Sequence, residues 1–338
     1  MRNALEDLLA RKGTLLADGA TGTNLFAMGL ASGEAPELWN ASSPERVVAL
    51  HQGFVDAGAD IILTNSFGGT RHRLKLHEAQ GRVHELNKAA AEIARGVADA
   101  SGREVIVAGS VGPTGELLMP LGALTYDEAL DAFAEQIAGL KAGGADIAWI
   151  ETMSSPEEMR AAAEAAIRVD MPYVITASFD TAGRTMMGLA PKDIHGVADG
   201  LAQSPVAVGA NCGVGASDIL ASLLDMSEAW PDAALVVKGN CGIPEFRGAE
   251  IHYSGTPELM ADYVRLAVDG GARIIGGCCG TSFAHLKAMR EALDSHVRGD
   301  RPRVDEIVAR IGPMRNKLAA ESGAQDNSPR RERRRARA

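Results

Sequence analysis

At 338 residues the chain has room for about two domains of ordinary size, and its 46% hydrophobic and 23% charged residues are the balance of a folded globular protein. No run approaches about 18 uninterrupted apolar residues, which excludes a helical membrane span; the opening residues, with Glu6, Asp7, Arg11 and Lys12, read as a short amphipathic helix without a secretory signal, so a cytoplasmic location is expected. The formal charge of −10 conceals an asymmetry: residues 329–338, PRRERRRARA, set six Arg against one Glu, so the remainder is more acidic still and is not built to bind nucleic acid.

In chain order, eight short apolar runs stand out, at residues 14–18, 60–65, 104–110, 146–151, 172–178, 206–211, 235–240 and 272–277. Most are rich in Val or Ile, as strands buried on both faces should be. Helical stretches separate them, among them 45–57, 82–100, 127–142, 157–168 and 258–269. Three of these open on one signal: Ser43-Pro44-Glu45, Ser155-Pro156-Glu157 and Thr256-Pro257-Glu258 each offer a hydroxyl N-cap, a proline at the first helical position and an acid facing the helix dipole. Ser155 with Glu158 has the spacing of a capping box. Glycines at 58, 143–144 and 270–271 supply left-handed C-caps before the next strand begins. Eight βα units with short connections predict a single (β/α)8 TIM barrel over residues 10–297, with a doubly wound open sheet as the competitor. A helical extension is expected over 298–320 and a disordered, solubilising Arg-rich tail over 321–338.

In a barrel the chemistry lies where strands end and βα loops begin. Those positions carry Asp18, followed by Gly19, Ala20 and Thr21; Asn65 and Phe67; the GSVGPTG loop at 109–115; Glu151; Asn211-Cys212-Gly213; Asn240-Cys241-Gly242; and Cys278-Cys279. The glycine loops match neither a Walker A motif nor a dinucleotide fingerprint and suit tight turns. Asp18 and Glu151 are each open to a structural reading, as helix caps or as buried partners of a lysine. The histidines, among them His51, His72, His195 and His252, show no metal-ligand spacing.

All four cysteines fall on this one rim, which buried structural cysteines have no reason to choose. Three thiolates on a zinc ion fill three tetrahedral positions at about 2.3 Å and leave one open for a further ligand. A substrate thiol bound there is deprotonated at neutral pH while staying nucleophilic. Three negative sulfurs make the ion a poor Lewis acid for water, which favours thiol alkylation over hydrolysis. A closed four-thiolate site that includes Cys241 is the structural alternative. A vicinal disulfide at Cys278–Cys279 would be strained and out of place in a reducing compartment.

Six motifs taken together resemble the homocysteine S-methyltransferase family: DGATGTNL (18–25), ILTNSFGGTR (62–71), GSVGPTGEL (109–117), WIET (149–152), GANCG (209–213) and GGCCGT (276–281). The resemblance runs from about residue 10 to residue 295. It implies a (β/α)8 barrel that binds Zn2+ through Cys212, Cys278 and Cys279, with homocysteine thiolate as the fourth ligand and methionine as the product. It further implies that Asp18 and Glu151 hold the homocysteine ammonium and that the backbone of Gly19, Ala20 and Thr21 lies near the amino-acid part. Asn65 and Phe67 complete the expected substrate set; Cys241 stands outside the ligand set.

For the methyl donor the resemblance offers two classes. The chain as a whole is most similar to stand-alone bacterial members described as betaine–homocysteine methyltransferases, which leans the donor towards betaine. A quaternary ammonium calls for aromatic faces, yet Phe67 is followed by Gly68-Gly69, and Trp39 and Tyr126 are the only other candidates nearby. NSFGGTR and GPTGELLMPLG resemble the homocysteine module of cobalamin-dependent methionine synthase more closely, so the alternative is a homocysteine-activating subunit that takes the methyl from a methylcorrinoid partner. A non-catalytic zinc-binding barrel is the reading from a different class. A homo-oligomer is left open.

Overall fold

The computed structural model describes residues 3–242, 244–247 and 250–316. Among them, eight parallel strands form one sheet: β1 (Leu15–Leu16), β2 (Ile61–Leu63), β3 (Ile106–Val111), β4 (Ile147–Met153), β5 (Tyr173–Ala177), β6 (Ala207–Cys212), β7 (Leu235–Gly239) and, after a hairpin of β8 (Pro244–Arg247) and β9 (Glu250–Tyr253), β10 (Ile274–Gly277). Their order is β1-β10-β7-β6-β5-β4-β3-β2, and a parallel bridge between Ala17 and Ile61 joins β1 back to β2. The sheet is a TIM barrel, and the open-sheet competitor is set aside. Each strand is rich in residues with no exposed face, as in the fully buried β3 and β5.

The N-terminal helix (Ala4–Lys12) explains how the barrel floor is sealed. Asn3 and Glu6 cap it reciprocally, and Leu5, Leu8 and Leu9 pack against the inward residues Leu15, Ile61, Ile106, Ile147, Trp149 and Val236. Full burial of a leucine is worth about 2 kcal/mol, so this helix plugs the end of the barrel where the strands begin. The seam between β1 and β2, thinnest in backbone bonding, is held by Asp60. Its carboxylate accepts from the Leu16 N–H at 2.9 Å and pairs with Lys12 at 2.6 Å and Arg290 at 3.1 Å.

The helix signals are met with two differences. Ser155 and Thr256 cap their helices through the hydroxyl, bonding the N–H groups of Glu158 and Leu259. Ser43 makes no side-chain cap, because it also terminates the preceding turn Trp39–Ser42 and its backbone is set by that duty. Glu158 does not close a capping box: its carboxylate instead accepts from the backbone N–H and hydroxyl of Thr114, at 2.8 and 2.6 Å, and so anchors the loop after β3. Gly58, Gly144 and Gly271, at φ +99°, +93° and +102°, end their helices in the left-handed conformation.

Beyond the barrel helices, Val304–Ile311 buries Ile307 and Ile311. The chain after it is pinned by Asp218, whose carboxylate accepts the N–H groups of Arg315 and Asn316. The last residues of the expected extension and the whole Arg-rich tail lie outside the described residues. Among the described residues no helix is long and apolar enough to cross a membrane.

Candidate metal centre and active-site cleft

Three loops at the C-terminal rim bring Cys212, Cys278 and Cys279 together, with their sulfurs all within 4.8 Å of one another and Cys212 Sγ 4.0 Å from Cys279 Sγ. Each sulfur arrives by a local device. Cys212, the last residue of β6, adopts φ +61°, a conformation unfavourable for a residue with a Cβ and persistent only where the surroundings enforce it. Cys278 donates its N–H to Gly239 O at 2.7 Å and Cys279 its N–H to Asn240 Oδ1 at 3.0 Å, which fixes the vicinal pair against the end of β7. Gly277 is required because Thr281 folds back onto it; a Cβ there would lie 2.3 Å from the Thr281 side chain.

The donor set fits zinc. Tetrahedral Zn–S bonds of about 2.3 Å place sulfurs about 3.8 Å apart, close to the spacing found. Without a cation the thiols stay protonated: hydrogen bonding to Cys278 pushes Cys212 up to about 12, and hydrogen bonding to Cys212 pushes Cys279 up to about 12. Cys241 is not part of the cluster. It is fully buried, and its thiol donates to Gly255 O at 3.4 Å.

The sulfurs open onto a cleft of about 560 Å³. Glu151 lines it from a bulge in β4, where the register with β5 shifts between Ile150 and Met153 and Thr152 takes φ +60°. One Glu151 oxygen accepts the Ser110 hydroxyl at 2.5 Å, and burial raises the carboxyl above its ordinary range in spite of Lys238 and Ser110. Asp18 is placed differently. It lies beneath the cleft and does not border it, and Lys238 from β7 donates to it at 2.6 Å. Burial works against the Lys238 charge, but the carboxylates of Asp18 and Glu151 outweigh it and hold the ammonium above its ordinary value.

Of the remaining expected residues, Gly19, Ala20, Thr21, Asn65 and Phe67 all line the cleft. The Ala20 N–H is taken by Thr281 O at 3.2 Å, and Thr21 starts the helix Thr21–Ala27. The Asn65 amide is spent on bracing, donating to Pro36 O and Asn40 Oδ1, while Phe67 presents its ring with 36% exposure. Trp39 and Tyr126 are not brought to the cleft: Trp39 is buried with Arg46 stacked at 4.7 Å, and Tyr126 lies beside Glu164. Three contributors escaped sequence reasoning. Lys238 ends an apolar run and resembles a surface lysine. Asn240 was hidden by the cysteine beside it. Tyr253, whose hydroxyl is within hydrogen-bonding reach of Cys279, comes from a hairpin with no apolar run to announce it.

A family model for homocysteine S-methyltransferase matches residues 15–293. The chain belongs to the homocysteine S-methyltransferase family. Within known proteins it is 28% identical over 314 residues to methionine synthase of Mycobacterium tuberculosis (strain ATCC 25618 / H37Rv), an alignment that covers 88% of this chain and 26% of that protein. The chain thus spans about a quarter of that relative's length. Among solved structures, the metallated and oxidized forms of the homocysteine methyltransferase MmuM from Escherichia coli each match with a TM-score of 0.70 and 27% identity, covering 86% of this chain and 99% of theirs. The family's match takes in both the cysteine rim and the Glu151 bulge.

Proposed function

We propose that the chain is a zinc-dependent homocysteine S-methyltransferase that forms methionine. The observation that carries this reading is the convergence of three cysteine sulfurs on a cleft that a buried carboxylate, Glu151, also lines. A thiol held by the sulfur cluster and an ammonium held by Glu151 describe a short aminothiol. When bound by Cys212, Cys278 and Cys279, zinc supplies a cationic position that keeps a substrate thiol ionised and nucleophilic at neutral pH. The protein's own part is positional. Asn240 holds the Cys279 loop, Ser110 orients Glu151, and Glu151 pairs with the substrate ammonium. Chemically, the donor's bond to its methyl breaks as the new S–CH3 bond forms, and the sulfur, now a neutral thioether, is a far weaker metal ligand than the thiolate it replaces.

For the donor, a methylcorrinoid carried by a partner protein is the better supported class, although the sequence leans towards betaine. Two of the three aromatics expected to cradle an onium, Trp39 and Tyr126, stay outside the cleft. Exposed apolar side chains stand on the loops that follow the strands, Phe26 after β1 and Leu76 after β2 at the cleft itself, with Leu117, Met119 and Leu121 after β3 and Met186 after β5. Such a rim suits a macromolecular visitor. Phe26, Phe67 and Tyr253, which do line the cleft, are what support betaine.

The test is methionine formation by zinc-loaded, cobalamin-free protein given homocysteine with betaine, a sulfonium or methylcobalamin in separate assays. Turnover with methylcobalamin alone supports the corrinoid donor; turnover with betaine alone reverses that assignment; methionine from none of the three removes the methyltransferase reading. Glu151→Gln is expected to raise KM for homocysteine about tenfold, the worth of one charge-assisted contact, while zinc content is unchanged. An unaltered KM takes Glu151 out of the substrate site.

A further inference from the structure

The two buried acids of the cleft are unequally available. Asp18, only 1% exposed, has both oxygens engaged: Oδ1 by Lys238 Nζ at 2.6 Å and Oδ2 by the Leu63 N–H at 2.7 Å. Glu151 has one oxygen on Ser110, and no described residue bonds the other. Lys238 and Glu151 border the cleft, whereas Asp18 does not. The lysine is accommodated by construction. It sits opposite Gly276 in the β7–β10 register, and a Cβ at 276 would come within 3.0 Å of Lys238 Cγ and of Ala17 Cβ. Cys278 follows directly on the end of β10, close enough for its thiol to act on the Lys238 charge. A fixed ammonium thus lies between Asp18 and the open cleft, beneath the sulfur cluster.

A substrate ammonium and the Lys238 ammonium are like charges competing for one carboxylate in a poorly screened place. We infer that Lys238 has withdrawn Asp18 from the amino-acid subsite, so that Glu151 alone recognises the substrate's ammonium and Asp18 is a positioning residue for the lysine. This rests on the proposed reading of the cleft as an aminothiol site. It departs from the sharing of the ammonium by Asp18 and Glu151 that the family resemblance implies. Lys238 is then a specificity-determining residue, since removing it would return a second carboxylate to the substrate.

The experiment compares, by calorimetry on zinc-loaded full-length protein, the affinities for homocysteine and for 4-mercaptobutyrate, which has the same thiol and carboxylate but no amine. Wild type should prefer homocysteine about tenfold, one charge-assisted contact's worth. Glu151→Gln should bring the ratio to about one, while the double variant D18N/K238M, which removes the pair together and leaves no orphan charge, should keep the wild-type ratio within about twofold. Lys238→Met alone, which frees Asp18, should raise the ratio above wild type, a change that general loosening of the fold would not produce. Zinc content, measured for every variant, separates substrate effects from metal loss. Collapse of the ratio in D18N/K238M with wild-type preference intact overturns the inference alone. A wild type without preference overturns it together with the aminothiol reading.

Discussion

The tripeptide Asn-Cys-Gly occurs twice on the same rim, at 211–213 and at 240–242, and its two copies do different work. The cause is the direction in which each cysteine turns where the pairing ends. β6 and β7 pair Asn211 with Lys238 and Cys212 with Gly239, so the second tripeptide begins one residue beyond the pairing and its cysteine stands two residues past the level of Cys212. Cys212 stands level with Gly239 and, across β7, with Gly277, just short of the vicinal pair, and turns its sulfur to it. Cys241 reaches the level of Cys279 and donates its N–H to Cys279 O at 2.9 Å, but its thiol turns away to Gly255 O, and Gly255 packs so closely that a Cβ there would sit 2.7 Å from the Cys241 sulfur. What the second copy contributes is its asparagine: Asn240 accepts from the Cys279 N–H at 3.0 Å and donates to Gly213 O at 2.7 Å, tying both cysteine loops together. A motif's chemistry thus depends on which way its side chains turn where the strand ends.

The largest effect that would test this contrast comes from the converging cysteines. Cys212→Ala, Cys278→Ala and Cys279→Ala should each abolish zinc binding and turnover, read by metal analysis and methionine formation; a zinc-replete variant among them would dissolve the triad. Next comes the brace. Asn240→Ala should weaken zinc about 10- to 100-fold, as loss of a group supporting metal ligands does, and competition with a chelator would measure it. Unchanged zinc affinity would reduce Asn240 to a loop residue.

Smaller still is a difference in reactivity once a chelator has stripped the protein. With thiols at about 12, the alkylation rates of Cys212 and Cys279 should climb with pH, about tenfold per unit between 7 and 10, because the thiolate fraction grows in that proportion below the pKa. Cys241 is pushed up to about 12 by burial, and enclosure should make it the last to label by mass spectrometry. Its labelling first would invert the contrast. The smallest effect is that of Cys241→Ser, which should keep zinc and turnover and cost about 1 kcal/mol in denaturant unfolding; loss of zinc would bring Cys241 back as a ligand.

How much could be read beforehand follows the same physics. The strands were legible because burial on both faces demands unbroken Val and Ile runs, and the clustering of the cysteines because a rim position is an odd choice for a core thiol. The partner of Asp18 was not legible. Lys238 sits in LVVKG, where one-dimensional pattern cannot tell a lysine facing the barrel axis from one reaching solvent; only the space left by Gly276 on another strand decides it. Trp39 and Tyr126 failed as donor candidates for a related reason, since proximity in sequence to a rim does not fix which way a side chain turns. Glu158, with the spacing of a capping box, went to Thr114 because a loop more than forty residues away offered two donors at once.

The thin closure between β1 and β2 has a consequence for how the protein would fail. β1 contributes two ladder residues and one further bridge, with Asp60 and its cations clamping the seam from the floor side. The first glycine loop rides on β1, as does Asp18 and through it Lys238. Slow warming should therefore unfasten this stave before the remaining strands part, with the amides of Ala17 and Asp18 exchanging with solvent ahead of those in β3 to β6. Inactivation would precede loss of helical signal, leaving a molecule that still looks folded but no longer grips its substrate.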